Sequence, residues 1–149
     1  MQTTSRANDF PAKITTLWTA FLLGLLFHTQ LALMPLFHGN RVVQSHAHDY
    51  VSVNAILWFM LIFFCIPLVA IASCVFCSSR PFRQIHFGIT LVYTGLNLLH
   101  FVIDAAISVP GYQLALMALL LLLGLLLNLV AYQWIQAYGR AKPLFSQSV

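Results

Sequence analysis

Six polar side chains recur along one apolar stretch of this sequence, at steps that alternate between four and three residues. The stretch reads HFGITLVYTGLNLLHFVID, and the six are His86, Thr90, Tyr93, Asn97, His100 and Asp104. On an α-helix this spacing places all of them on one narrow stripe about 27 Å long, because each residue rises about 1.5 Å. Imidazoles and a carboxylate on such a stripe can ligate a metal ion, ligate a haem iron or pass protons.

The chain that must position this stripe is apolar enough to be embedded in a membrane. Of its 149 residues, 60% are hydrophobic and 7% are charged, and the mean hydropathy is +0.87. A soluble domain carries about 25% charged residues. Four apolar runs, roughly 14–37, 51–77, 86–108 and 112–138, are each long enough to cross a bilayer as a helix. We therefore predict an all-α fold, a polytopic four-transmembrane-helix bundle that forms a single integral membrane domain over 1–149.

Basic residues predict how this bundle is oriented. Arg6 and Lys13 precede the first run, Arg80 and Arg83 lie between the second and third runs, and Arg140 and Lys142 follow the fourth run. The positive-inside rule then places the N- and C-termini on the cytoplasmic side, in a bacterial-type plasma membrane or an equivalent energy-transducing membrane. These scattered pairs form no patch for nucleic acid. The expected partners are the lipid bilayer and either other membrane subunits or a second copy in a homo-oligomer.

Five of the six histidines fall in the outward half of this predicted bundle, and two of them match in depth. His28 comes fifteen residues after Lys13, and His100 comes seventeen after Arg83. On straight helices their depths agree within roughly 3 Å. Two imidazoles at one depth can bind the iron of haem b axially or share a transition-metal ion such as copper, iron or zinc. Asp104, one turn beyond His100, is either a further ligand or the acceptor that orients the imidazole.

Further candidate ligands follow the first run and occupy the outward connection. They are His38, His46, His48 and Asp49. Two histidines separated by one residue do not share a helical face, but in a loop both can reach one ion. We expect these residues to form an outer entry or second ligand set, with solvated surface histidines as the alternative. Asn97 is expected to orient the ligands of the main centre.

The segment HAHDYVSVNAILWFMLIFFCIPL carries a family resemblance. With one span before it and a basic inward connection and two spans after it, the layout resembles small stand-alone relatives of haem-copper oxidase subunit I, of the cbb3-like kind. In that family a His-x-His opening the second span supplies a low-spin haem ligand, which the resemblance would assign to His46 or His48. Asp49 and Tyr50 replace apolar residues of that pattern, and the helix that bears the other haem ligand is absent. The resemblance therefore implies haem near the outer face and does not extend to copper or oxygen chemistry.

For four other residues we predict structural roles. Cys74 and Cys77 form a CxxC near the inner surface, but one such pair lacks a full tetrahedral ligand set, so we interpret both as apolar fillers. Trp18 and Trp134 are expected in the aromatic belts at the membrane interfaces.

The leading functional hypothesis is a small integral membrane protein that binds haem b or a transition metal in the outer half of the bilayer. It would act in electron transfer or as an accessory subunit of a redox complex. One alternative is a proton or metal-ion transport subunit that uses the polar stripe. Another is a structural subunit of a larger membrane complex. We do not expect an enzyme acting alone, because the sequence shows no nucleophile–base pair and no phosphate-binding loop.

Overall fold

The protein is described by a computed structural model over residues 3–38 and 52–139, and within these residues it consists of four α-helices without a strand. They are α1 (Thr3–Phe37), α2 (Val53–Phe76), α3 (Arg80–Ala106) and α4 (Gly111–Gly139). Each helix contains a segment long and apolar enough to cross a membrane. The predicted all-α class is confirmed, and the four predicted apolar runs correspond to these four helices.

The helices α1 and α3 run in the same direction, because Trp18 lies beside His86 and His28 lies beside His100. We call the end of the bundle where α1 and α3 end the upper end, and the opposite end the lower end. α4 packs extensively against both α1 and α3, whereas α2 packs mainly against α1 and leaves most of its side chains exposed. The bundle is therefore a tight three-helix unit with α2 laid along it.

Two glycines allow α4 to approach its neighbours closely. A Cβ atom on Gly24 of α1 would collide with the Leu120 side chain, and a Cβ on Gly124 would lie 2.9 Å from Thr94 Oγ1 of α3. Beside the second contact, Asn128 Nδ2 donates a hydrogen bond to Thr94 Oγ1 at 3.0 Å. Small residues at such crossings let backbones approach, as is common between membrane helices.

The third helix begins six residues earlier than the apolar run predicted. Pro81 occupies the first turn of α3, a position whose N–H has no helical partner in any case. Arg83, expected in the connection, is instead a buried residue of α3. Its Nη1 donates to the carbonyl of Ser78 at 2.8 Å, and its guanidinium lies 5.8 Å from the Trp134 ring centroid. These contacts allow a charged residue inside α3, at a position that hydropathy alone assigns to the connection before the helix.

The two tryptophans expected in the aromatic belts pack inside the bundle, and their depth in a membrane stays a prediction. Trp18 and Trp134 are fully buried in the main hydrophobic cluster. The Trp18 ring meets Phe21 and Tyr93 edge-on, at centroid distances of 5.9 and 5.4 Å. A buried indole usually finds an acceptor for its N–H. Trp18 finds one on α3, as described below, whereas Trp134 Nε1 has no hydrogen-bond partner among the described residues.

Candidate metal centre

Three ionisable side chains from two helices converge near the upper end of the bundle. His28 projects from α1, and His100 and Asp104 project from α3. His28 Nε2 lies 3.5 Å from Asp104 Oδ2, and His100 Nε2 lies 3.4 Å from Asp104 Oδ1. One ligand atom from each residue lies within 4.8 Å of the other two. The predicted depth match of the two histidines is confirmed, since their ring centroids are 5.3 Å apart and nearly perpendicular.

The local structure of α3 explains how two of these side chains meet. His100 and Asp104 are four residues apart, which places them on one face of the helix. The helix ends directly beyond Asp104, where the N–H of Val109 donates to the Asp104 carbonyl at 3.2 Å and Ser108 takes a left-handed conformation with φ of 58°. The carboxylate therefore lies in the last turn, beside the α1 segment that carries His28.

The three residues differ in how far they are buried. The side chains of His28 and Asp104 are 9% and 8% exposed, whereas the side chain of His100 is 51% exposed. Two ligands are thus held in packed surroundings on different helices, and the third borders the outside of the bundle. Two ligands of such a centre are held in place by packing, and the third is accessible from outside the bundle.

Several polar atoms around this centre lack a hydrogen-bond partner within the described residues. They are His28 Nδ1, Asp104 Oδ2 and both polar atoms of the Asn97 amide, all of them buried. Buried polar atoms are normally paired, so each such atom calls for an explanation, of which an ion is one. An ion held by His28 Nε2 and the Asp104 carboxylate would engage the second of these atoms directly. The residues present therefore fit a bound metal.

The donor set is two imidazoles and one carboxylate, which suits zinc, iron(II) or copper(II). Haem fits this arrangement less well. Axial ligation by two histidines requires their nitrogens on opposite faces of a flat macrocycle. Here the two imidazole rings meet edge-on at a centroid distance of 5.3 Å, and the Asp104 carboxylate lies 3.5 and 3.4 Å from their Nε2 atoms. The geometry favours a single ion shared by three ligands.

Of the other predicted metal ligands, His38 alone lies among the described residues, and it does not join this cluster. His38 is exposed, and its Nδ1 lies 3.0 Å from the carbonyl of Met34 in its own helix. His46, His48 and Asp49 lie outside the described residues. Asn97, expected to orient the ligands, is buried, but its amide has no hydrogen-bond partner among the described residues, so it orients neither imidazole through a direct hydrogen bond.

A cavity of about 280 Å³ adjoins the centre on the side where α1, α2 and α3 meet. Its wall includes the rings of His28 and His100 together with Asn97. The remaining wall is mostly aromatic and aliphatic, and α2 contributes Phe59, Met60, Phe63 and Phe64. The centre thus borders an apolar space as well as the outside of the bundle.

His86, at the lower end of the stripe, belongs to a separate cluster in the lower half of the bundle. Trp18 Nε1 donates to His86 Nε2 at 3.2 Å, so in this ring the proton is on Nδ1. That nitrogen lies 3.5 Å from Cys74 Sγ. Both nitrogens of His86 are therefore engaged, and the contacts tie α1, α2 and α3 together. Sequence reasoning missed this cluster, although Trp18 follows Lys13 by five residues and His86 follows Arg83 by three, which indicates similar depth.

Between the two histidine clusters three hydroxyl groups of α3 donate hydrogen bonds to backbone carbonyls. Thr90 donates to Phe87, Thr94 donates to Thr90, and Tyr93 donates to Phe63 of α2, at 2.8, 2.9 and 2.6 Å. All six residues of the stripe are buried except the half-exposed His100. Because these hydroxyls donate to carbonyls that carry no proton, they do not connect His86 to His100 as a chain of proton donors and acceptors.

Comparison of the chain with protein-family models, with curated proteins and with solved structures returns no match. The resemblance to haem-copper oxidase subunit I therefore stays a prediction.

Proposed function

We propose that this protein is a small multi-pass membrane protein that binds one transition-metal ion through His28, His100 and Asp104. The observation that carries the proposal is the convergence of three donor atoms from two helices within 4.8 Å, close to one end of the bundle. Ionisable side chains inside membrane helices are costly and are typically functional. Under the positive-inside rule the upper end faces outward, in a bacterial-type plasma membrane or an equivalent energy-transducing membrane.

Within this proposal the protein acts in electron transfer or as an accessory subunit of a redox complex. Iron or copper at the centre would supply the redox chemistry. Zinc would instead give the centre a structural role or a role in binding a ligand. The chain's own contribution is to hold two ligands rigidly on packed helices and to leave His100 half exposed toward a partner. The exposed apolar faces of the helices, α2 above all, offer surface to other membrane subunits or a second copy.

A proton path along the stripe receives less support than metal binding, because the intervening hydroxyls are bonded to backbone carbonyls. Haem b stays as the alternative cofactor, and the absorption spectrum of the purified protein tests it directly. A Soret band with sharp reduced α and β bands would favour haem over a single ion.

The metal proposal is tested by zinc binding to the purified protein, measured by competition with a chromophoric chelator and by metal analysis. We expect one zinc per chain. Asp104→Asn keeps the shape of the side chain and removes the charged ligand, so its zinc affinity should fall by at least ~10- to 100-fold, since even outer-shell partners contribute that much. His100→Ala should have a similar effect.

His38→Ala is the matched control, because His38 is an exposed histidine of the same upper end that lies outside the cluster. It should bind zinc as the wild type does. Equal zinc affinity in the wild type, Asp104→Asn and His100→Ala would refute the assignment, and so would a loss caused by His38→Ala alone.

A further inference from the structure

We propose that the metal centre accepts a small uncharged ligand from the bilayer, at a coordination position that faces the cavity between α1, α2 and α3. This inference rests on the proposed metal site and adds the class of molecule that the site takes. It follows from the number of protein ligands, from the cavity beside them and from the character of the cavity wall.

The described residues supply three ligands to the centre, and transition ions of this kind take at least four. Centres with three protein ligands are those that keep a position for water or substrate, and two histidines with one carboxylate form the facial set that leaves positions open on iron. A metal bound by His28, His100 and Asp104 is therefore expected to accept a further donor atom.

The cavity reaches the same two imidazoles. Its volume of about 280 Å³ lies just below the ~300–1,000 Å³ typical of small-molecule sites. One wall is formed by Phe21 and Leu25 of α1, and the opposite wall is formed by α2. Because α2 packs loosely on the bundle, the cavity lies at the most weakly packed seam of the fold.

The wall chemistry selects for neutral ligands. To reach the metal, a charged ligand would first have to lose its hydration in the mostly apolar space, whose wall contains no Lys, Arg, Asp or Glu among the described residues, and this is costly. A small uncharged molecule with one lone pair, soluble in the bilayer, would enter freely and bind the metal. The amide of Asn97 lies in the wall one turn below His100, is only 4% exposed and has no hydrogen-bond partner among the described residues. It provides a polar group beside the coordination position in an otherwise apolar wall.

The test uses the full-length protein in lipid nanodiscs loaded with cobalt(II), whose visible spectrum reports changes in coordination. Pyridine is the neutral probe and azide is the anionic probe. We expect pyridine to change the cobalt spectrum saturably and azide to bind at least ~10-fold more weakly. Leu25→Trp should fill the cavity and weaken pyridine binding at least ~10-fold while cobalt stays bound. Leu26→Trp, at a 50% exposed neighbour outside the cavity wall, should behave as the wild type does.

Each contrary result has a distinct meaning. Failure of cobalt to bind the wild type would overturn the proposed function, and the inference with it. Bound cobalt whose spectrum ignores pyridine, or that prefers azide, would overturn the inference alone. A response to pyridine that appears only after His46→Ala or His48→Ala would also overturn it, because the chain itself would then supply the fourth donor. If Leu25→Trp fails to fold, Met60→Trp fills the cavity from α2, which supplies no ligand, and the same loss of pyridine binding is expected.

Discussion

Replacing Gly124 with alanine tests how closely α3 and α4 must approach for the bundle to be stable. The added methyl group would lie 2.9 Å from Thr94 Oγ1 and 3.4 Å from Thr94 Cγ2. Thr94 is buried, and its hydroxyl accepts the hydrogen bond from Asn128. Rotation of the hydroxyl away from the added methyl group breaks this bond, and separation of the two helices lengthens it, so the substitution disturbs packing and hydrogen bonding together.

The expected loss follows from three contributions. Overpacking of a close interface costs about 1–3 kcal/mol. Loss of the bond between Asn128 and Thr94 costs about 0.6 kcal/mol on average and at most about 1.7 kcal/mol in membrane proteins. Replacement of glycine by alanine inside a helix stabilises the helix by about 1 kcal/mol. The free energy of unfolding of Gly124→Ala should therefore fall by about 2 kcal/mol, within a range of about 0.6–3.7 kcal/mol.

The assay is reversible unfolding in mixed micelles with increasing SDS, followed by circular dichroism. Gly95→Ala is the matched control, because a Cβ atom there would meet nothing within 4 Å, and it should not destabilise the protein. The double variant Thr94→Ala/Gly124→Ala removes the two nearest atoms and leaves the Thr94 Cβ at an ordinary 3.5 Å. It should recover at least about 1 kcal/mol relative to the sum of the single losses. Losses that add within about 0.5 kcal/mol would refute the close-contact explanation.

Two further predictions concern the lower half. Trp18→Phe should lower the free energy of unfolding by about 1–3 kcal/mol, because His86 Nε2 loses its donor inside the core; unfolding in SDS measures this, and an unchanged stability would show that the bond contributes nothing. Cys77 is exposed just beyond α2, so in a variant with serine at 65 and 74 a membrane-impermeant maleimide should label it only after the cells are opened. Labelling of intact cells would show that the predicted inward placement of this end is wrong.

The elements most predictable from sequence were those set by periodicity within one helix. The alternating steps of four and three between His86 and Asp104 describe a single face, and burial of that face follows once the helix joins a bundle. The meeting of His28 with His100 was also predictable, since both spans begin from basic residues at the same end and run in the same direction.

What could not be predicted depends on rotation between helices and on local pairing. Depth alone does not show that the Trp18 indole points at His86, because that requires the rotation of α1 about its own axis. Hydropathy likewise begins the third span only after Arg83, since it does not include the Ser78 carbonyl and the Trp134 ring that receive the guanidinium. A paired cation near a helix end costs far less than the isolated residue that a hydropathy scale describes.

The candidate centre depends on a helix that contributes none of its ligands. Of the three ligands, α1 provides His28 and α3 provides His100 and Asp104, while α2 walls the cavity. α4 packs on both ligand-bearing helices, with Gly24 against Leu120 on one side and Gly124 against Thr94 on the other. Because membrane helices lack a hydrophobic driving force for association, such close contacts determine the distance between helices. It follows that Gly124→Ala, which touches no ligand, should weaken zinc binding as well as stability, whereas the Gly95→Ala control should change neither.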